Sequence, residues 1–114
     1  MRFLMIYNGA DTNPPTPEKM AAIGKFGEES AKAGVLLDMG GIVKTQKATR
    51  VVQAGGKFSV TDGPFPETKE LIAGYAIIQA RSSDEALEHA RRFMAIAGDG
   101  DSEILRMFGP GEFH

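Results

Sequence analysis

The sequence predicts a single α+β domain in which an antiparallel sheet carries two helices on one of its faces. Three observations predict this class. The elements run β-α-β, hairpin, β-α-β; two strands, Phe3–Tyr7 and Leu71–Ile78, are apolar on both faces; and each helix has a start and a stop signal. The chain has 114 residues, enough for one core but not two. With 25% charged and 42% hydrophobic residues, its composition is that of a folded globular protein rather than a disordered one.

In the first strand Phe3, Met5 and Tyr7 alternate with Leu4 and Ile6, so both faces ask for cover. Thr16-Pro17-Glu18 then supplies an N-cap, a proline at the first helical position and an acid in the first turn. This helix is expected to run to about Ala33. Met20, Ile23, Gly24, Gly27, Ala31 and Gly34 recur at helical spacing, a small-residue stripe that predicts a closely packed face. Gly34 closes the helix, and Val35-Leu36-Leu37 begins a strand with Asp38 near its end.

Ala48–Ala54 and Lys57–Asp62 flank Gly55-Gly56, the composition of a two-residue hairpin turn. The implied register sets Thr49 opposite Asp62, Val51 opposite Val60 and Gln53 opposite Phe58, with Arg50 on the other face from Asp62. After the strand at Leu71–Ile78, Ser82-x-x-Glu85 forms a capping box. Ala86, Leu87, Ala90, Phe93, Met94 and Ala97 follow as an apolar stripe, and Gly98 stops the helix. The acidic run Asp99-Gly100-Asp101-Ser102-Glu103 reads as a turn into a last strand at Glu103–Phe108. With both helices on one face of the sheet, the apolar residues left on the other predict that two sheets meet face to face in a homodimer. The alternative is a monomer whose second face is covered by loops and the segment Asp38–Lys47.

Composition removes several function classes. A net charge of −2 and a pI near 5.7 provide no broad basic surface, so direct nucleic-acid binding is not expected. The absence of cysteine removes disulfides, thiolate nucleophiles and cysteine metal sites, and fits a reducing, cytoplasmic setting. The apolar run at Phe3–Tyr7 is too short for a signal sequence or a membrane span. No serine lies in a G-x-S-x-G elbow, and no histidine pair has ligand spacing. A calcium loop starting at Asp99 would need glutamate where Pro110 stands. No metal or other cofactor is expected. His89, one turn after Glu85, reads as a surface histidine paired to it.

What remains is carboxylate and ammonium chemistry around Asp62-Gly63-Pro64-Phe65-Pro66-Glu67-Thr68-Lys69-Glu70. Pro64 and Pro66 fix their own φ and bias Gly63 and Phe65 towards extended geometry, so the segment should hold one shape. Asp62 is the candidate base. Glu67, Lys69 and Glu70 are candidate binding groups, joined by Asp38 and by Tyr7 or Tyr75, of which Tyr75 is the closer to the segment in the chain. An aspartate with a solution pKa near 3.9 is a weak base at neutral pH, so this role requires burial or a neighbouring like charge. A plain surface turn, begun by Asp62 and continued by proline, accounts for the same residues.

Asp62-Gly63-Pro64-Phe65, with Glu67, Lys69-Glu70 and Gly74-Tyr75, resembles the signature of the DGPF proteins, a branch of the YCII-related domain family. The likeness extends to Arg2–Tyr7, to Ala33-Gly34-Val35-Leu36 and to Glu103–Arg106. It implies a ferredoxin-like fold that pairs into a dimeric α/β barrel. It also implies a link to extracytoplasmic-function sigma factors, beside which such proteins are encoded. Some relatives in the wider family resemble lyases or dehydrochlorinases that use a paired histidine and aspartate. Here the first helix carries Met20, Ile23 and Phe26 and no histidine, so that pair does not carry over. Three readings stand: a small-molecule enzyme or binding protein with Lys69 holding an anionic group, a docking module for a sigma factor, or a structural motif.

Overall fold

A computed structural model of the chain describes residues 1–10, 15–42, 49–63 and 74–112. Its elements are β1 (Arg2–Gly9), α1 (Pro17–Lys32), β2 (Leu36–Gly41), β3 (Thr49–Ala54), β4 (Lys57–Asp62), β5 (Gly74–Gln79), α2 (Ser83–Ala97) and β6 (Gly100–Met107). Four strands form one antiparallel sheet in the order β2-β5-β1-β6, and β3 and β4 form a separate two-stranded sheet. β1 reaches β2 through α1 with β5 lying between them, and β5 reaches β6 through α2 with β1 between them. These two interlocked β-α-β units are the ferredoxin-like arrangement.

The helix ends follow the local chemistry of the sequence. Thr16 Oγ1 accepts from Lys19 N–H at 3.2 Å, and Ser82 Oγ accepts from Glu85 N–H at 3.2 Å. At the end of α1, Gly34 takes φ +77°; its N–H donates to Ala31 and that of Val35 to Ser30, satisfying two carbonyls a straight helix would leave unpaired. Gly55 and Gly56 have φ of +56° and +77°, the left-handed pair that a two-residue hairpin turn requires. The hairpin register is the one the alternation predicted, Thr49 to Asp62, Val51 to Val60 and Gln53 to Phe58.

The core lies between the sheet and the helices. Phe3, Met5, Ala76, Ile78, Ala80, Ala86 and Ala90 are buried there, with Leu36, Phe93 and Ile104 packed against them. Ile78 is 0% exposed, and complete burial of such a side chain is worth about 1.5–3 kcal/mol.

Four sequence expectations need correction. α1 buries Phe26, Gly27 and Ser30, while Met20, Gly24 and Ala31 of the expected stripe are exposed. A helix rich in glycine and alanine has a weak apolar face, and the aromatic ring of Phe26 decides its rotation. β6 starts at Gly100, so most of the acidic run is strand rather than turn. Leu87 of the α2 stripe is 60% exposed. In its place His89, expected at the surface, is 6% exposed and lies against Phe26 with ring centroids 5.0 Å apart. Glu85 pairs instead with Arg81, at 3.0 Å.

Candidate functional site

The alternation of the strands sorts the sheet into a covered face and an open one. Phe3, Met5, Ala76 and Ile78 face the helices, so Leu4, Ile6, Tyr75 and Ile77 point to the other side. Cross-strand register sets these residues in rows on the open face. One row is Asp38, Ile77, Leu4 and Leu105; the next is Gly40, Tyr75, Ile6 and Glu103. An apolar floor of Ile77, Leu4 and Leu105 thus runs beside a row that ends in a carboxylate.

Asp38 reaches this face through a β-bulge. Leu36 opposes Ile78 and Asp38 opposes Ile77, leaving Leu37 as the extra residue of β2. In a regular strand Asp38 would share the helix side with Leu36. The bulge reverses the alternation, so Met39 points to the helices, where its sulfur meets the space beside Gly27, and Asp38 points away from them. Asp38 therefore lies within its strand, not near the strand's end as the sequence suggested.

Tyr75 and Asp38 are brought together there. The Tyr75 hydroxyl donates to Asp38 Oδ2 at 3.0 Å, while Asp38 Oδ1 accepts the Met39 N–H at 2.9 Å. The hydrogen bond to the Asp38 carboxylate, and then its charge, hold the Tyr75 phenol above its ordinary pKa of 10.0, because ionisation would set two anions side by side. The pair is a hydroxyl donor locked onto a carboxylate, able to exchange that bond for one to a ligand.

Asp62 lies elsewhere, at the open end of the β3–β4 hairpin. Its Oδ1 accepts the Thr49 hydroxyl at 3.0 Å, and the residue is exposed. Arg50 opposes Thr61 on the other face of the hairpin. Glu67, Lys69 and Glu70 lie outside the described residues, as does the strand start expected at Leu71–Ala73. A depression of about 240 Å³ lies by the far end of β5, lined by Val35, Gln79, Ala80, Arg81 and Glu85; it includes none of the candidate residues. Among the described residues no cluster of three or more His, Asp or Glu has metal-binding geometry, and no helix is long and apolar enough to cross a membrane.

Sequence reasoning named Asp38 and Tyr75 but could not pair them. It missed the Leu37 bulge, for which the available signal was the glycine pair Gly40-Gly41 inside the strand.

Comparison with known proteins fits this architecture. The model of the YCII-related domain family matches residues 1–100. An uncharacterized protein, R00369, of Rhizobium meliloti (strain 1021) is 38% identical over 84 residues, covering 71% of this chain and 68% of its own. Among solved structures, the chain is similar to the 5-chloro-2-hydroxyhydroquinone dehydrochlorinase TftG from Burkholderia phenoliruptrix AC1100, in complex with 2,5-dihydroxybenzoquinone. The TM-score is 0.57 at 16% identity, over 95% of this chain and 94% of that one. The likeness to TftG is one of fold. The chain belongs to the YCII-related domain family.

Proposed function

We propose that this YCII-related protein, of the DGPF branch, binds a small molecule on its open sheet face and acts on it by carboxylate acid/base chemistry. The observation that carries this reading is the hydrogen bond from Tyr75 to Asp38, held beside the apolar floor of Ile77, Leu4 and Leu105. Asp38 is the proton acceptor and Tyr75 the group that keeps it oriented until a ligand arrives. A second copy of the chain, packed sheet to sheet, would cover the face. It would thereby exclude water from Asp38 and from a ligand bound beside it. TftG holds a planar hydroxylated quinone, which makes hydroxylated rings the ligand class to try first. Such a ring would lie on the floor with a hydroxyl at Asp38. Asp62 is the second candidate base, with Glu67, Lys69 and Glu70 as its binding partners.

The test is calorimetric titration of 2,5-dihydroxybenzoquinone into wild type, Tyr75→Phe and Asp62→Asn, with the association state measured at matched concentration. Binding to a dimer, weakened about tenfold or more by Tyr75→Phe, is expected; tenfold corresponds to about 1.4 kcal/mol. Undiminished binding by Tyr75→Phe together with loss in Asp62→Asn would move the site to the segment that follows β4.

One observation favours a second reading, a docking surface for a regulator such as a sigma factor. Every residue of β3 and β4 is exposed, and Val51, Val60 and Phe58 share one hairpin face with Asp62. Co-purification of a sigma factor that is lost in Phe58→Ser would support it.

A further inference from the structure

Tyr75 does not stand upright from the sheet. Its register partner on β2 is Gly40, yet its hydroxyl bonds to Asp38, two residues along the same strand. Two residues of strand are about 7 Å, so the ring leans along β2 towards Asp38 to make this bond. It can do so because the position beneath it has no side chain. A Cβ added at Gly40 would be 2.7 Å from Tyr75 Cε1 and 3.3 Å from both Cζ and the hydroxyl oxygen. A side chain at position 40 therefore collides with the ring where it now lies.

We infer that Gly40 is a positioning residue, whose bare backbone is the seat that lays the Tyr75 ring along β2 and delivers its hydroxyl to Asp38. The geometry stands whether or not a ligand binds; its functional meaning rests on the reading of Asp38 and Tyr75 as a ligand site. With the ring flat on β2, the floor of Ile77 and Leu4 stays uncovered. With the ring displaced, the hydroxyl leaves Asp38 and the carboxylate loses its orienting donor.

The chain has two tyrosines and no tryptophan, so a Tyr7→Phe background leaves Tyr75 as the sole phenol to be followed by ultraviolet absorbance. In that background the Tyr75 ionisation is expected above pH 10, and both Gly40→Ala and Asp38→Asn should bring it down to about 10. The double substitution should go no lower than either single one. Gly24→Ala, where an added Cβ meets nothing within 4 Å, should leave it unchanged. A Gly40→Ala titration that overlays its parent would overturn the inference. If Gly40→Ala does not fold, the seat is still testable at neutral pH without touching it. In glycine-labelled protein the Gly40 Hα resonances should carry an upfield ring-current shift that disappears in Tyr75→Leu; resonances indifferent to that substitution would also overturn it. The same samples separate this inference from the proposed function. A correct seat with no binding of 2,5-dihydroxybenzoquinone retains the positioning role and removes the ligand.

Discussion

The two faces of the four-stranded sheet each carry one tyrosine, and the contrast between them distinguishes a structural group from a functional candidate. On the covered face Tyr7 lies edge-on to Phe93, ring centroids 5.4 Å apart, and donates to the carbonyl oxygens of Gly98 and Asp99 at 3.2 Å. Burial, and then the charges of Asp99 and Asp101, raise its pKa. On the open face Tyr75 is raised too, but first by its hydrogen bond to Asp38. Same residue and same direction of shift conceal different causes. Tyr7 ties the end of α2 to the sheet through backbone acceptors that cannot titrate, whereas Tyr75 is bound to a side chain that can exchange a proton. The leading cause of the shift separates the two: burial at Tyr7, a hydrogen bond to a carboxylate at Tyr75.

The contrast is sharpest at two adjacent residues. Ile78→Ala removes a fully buried side chain and should destabilise the protein by about 2–5 kcal/mol in chemical denaturation. Ile77→Ala, on the open face, should cost far less in a dilute sample. If a second copy covers that face, its cost should grow with protein concentration, since association then adds to stability. Equal losses at both positions, independent of concentration, would erase the distinction between the faces.

At the tyrosines, Tyr7→Phe should lower stability by about 1 kcal/mol or less, given two long hydrogen bonds at a partly exposed hydroxyl. Tyr75→Phe should leave the denaturation midpoint nearly unchanged while altering ligand binding. A reversal of these two results would exchange their roles.

His89 tests the covered side by pH. Burial, followed by the charge of Arg92, lowers its pKa below the ordinary 6.5, so the unfolded chain binds a proton more readily than the folded one. Stability from the neutral imidazole is thus fully present above pH 6.5 and is lost as pH falls from there through the lowered folded value. His89→Leu should flatten the stability profile over this window. Glu112, whose pKa is lowered first by its hydrogen bond from Arg106, acts in a separate window below its ordinary 4.5. The smallest effect is expected in the hairpin. Phe58 is 66% exposed, and Phe58→Ser should change monomer stability by no more than about 0.5 kcal/mol. A larger loss would mean that the hairpin is covered in solution.

Much of this fold is written in short-range signals. The caps at Thr16 and Ser82, the left-handed Gly34 and the Gly55-Gly56 turn act within four residues and appear where their chemistry placed them. Where the sequence misled, a weak local pattern was overridden by packing: the small-residue stripe of α1 yielded to Phe26, and the acid-rich start of β6 yielded to pairing with Asn8 and Gly9. At the candidate site, residue types were legible and geometry was not. Asp38 and Tyr75 are 37 positions apart, and their meeting depends on β2 lying next to β5.

By itself, then, the sequence determined the order of elements, their caps and turns, the hairpin register and the excess of apolar residues over what two helices can cover. Those depend on bonds and alternations between near neighbours in the chain. Only the tertiary structure decided that β2 pairs with β5, that the Leu37 bulge turns Asp38 to the open face and that Gly40 leaves room for the Tyr75 ring. Each of these is a steric relation between strands, and such relations exist only once the strands lie side by side.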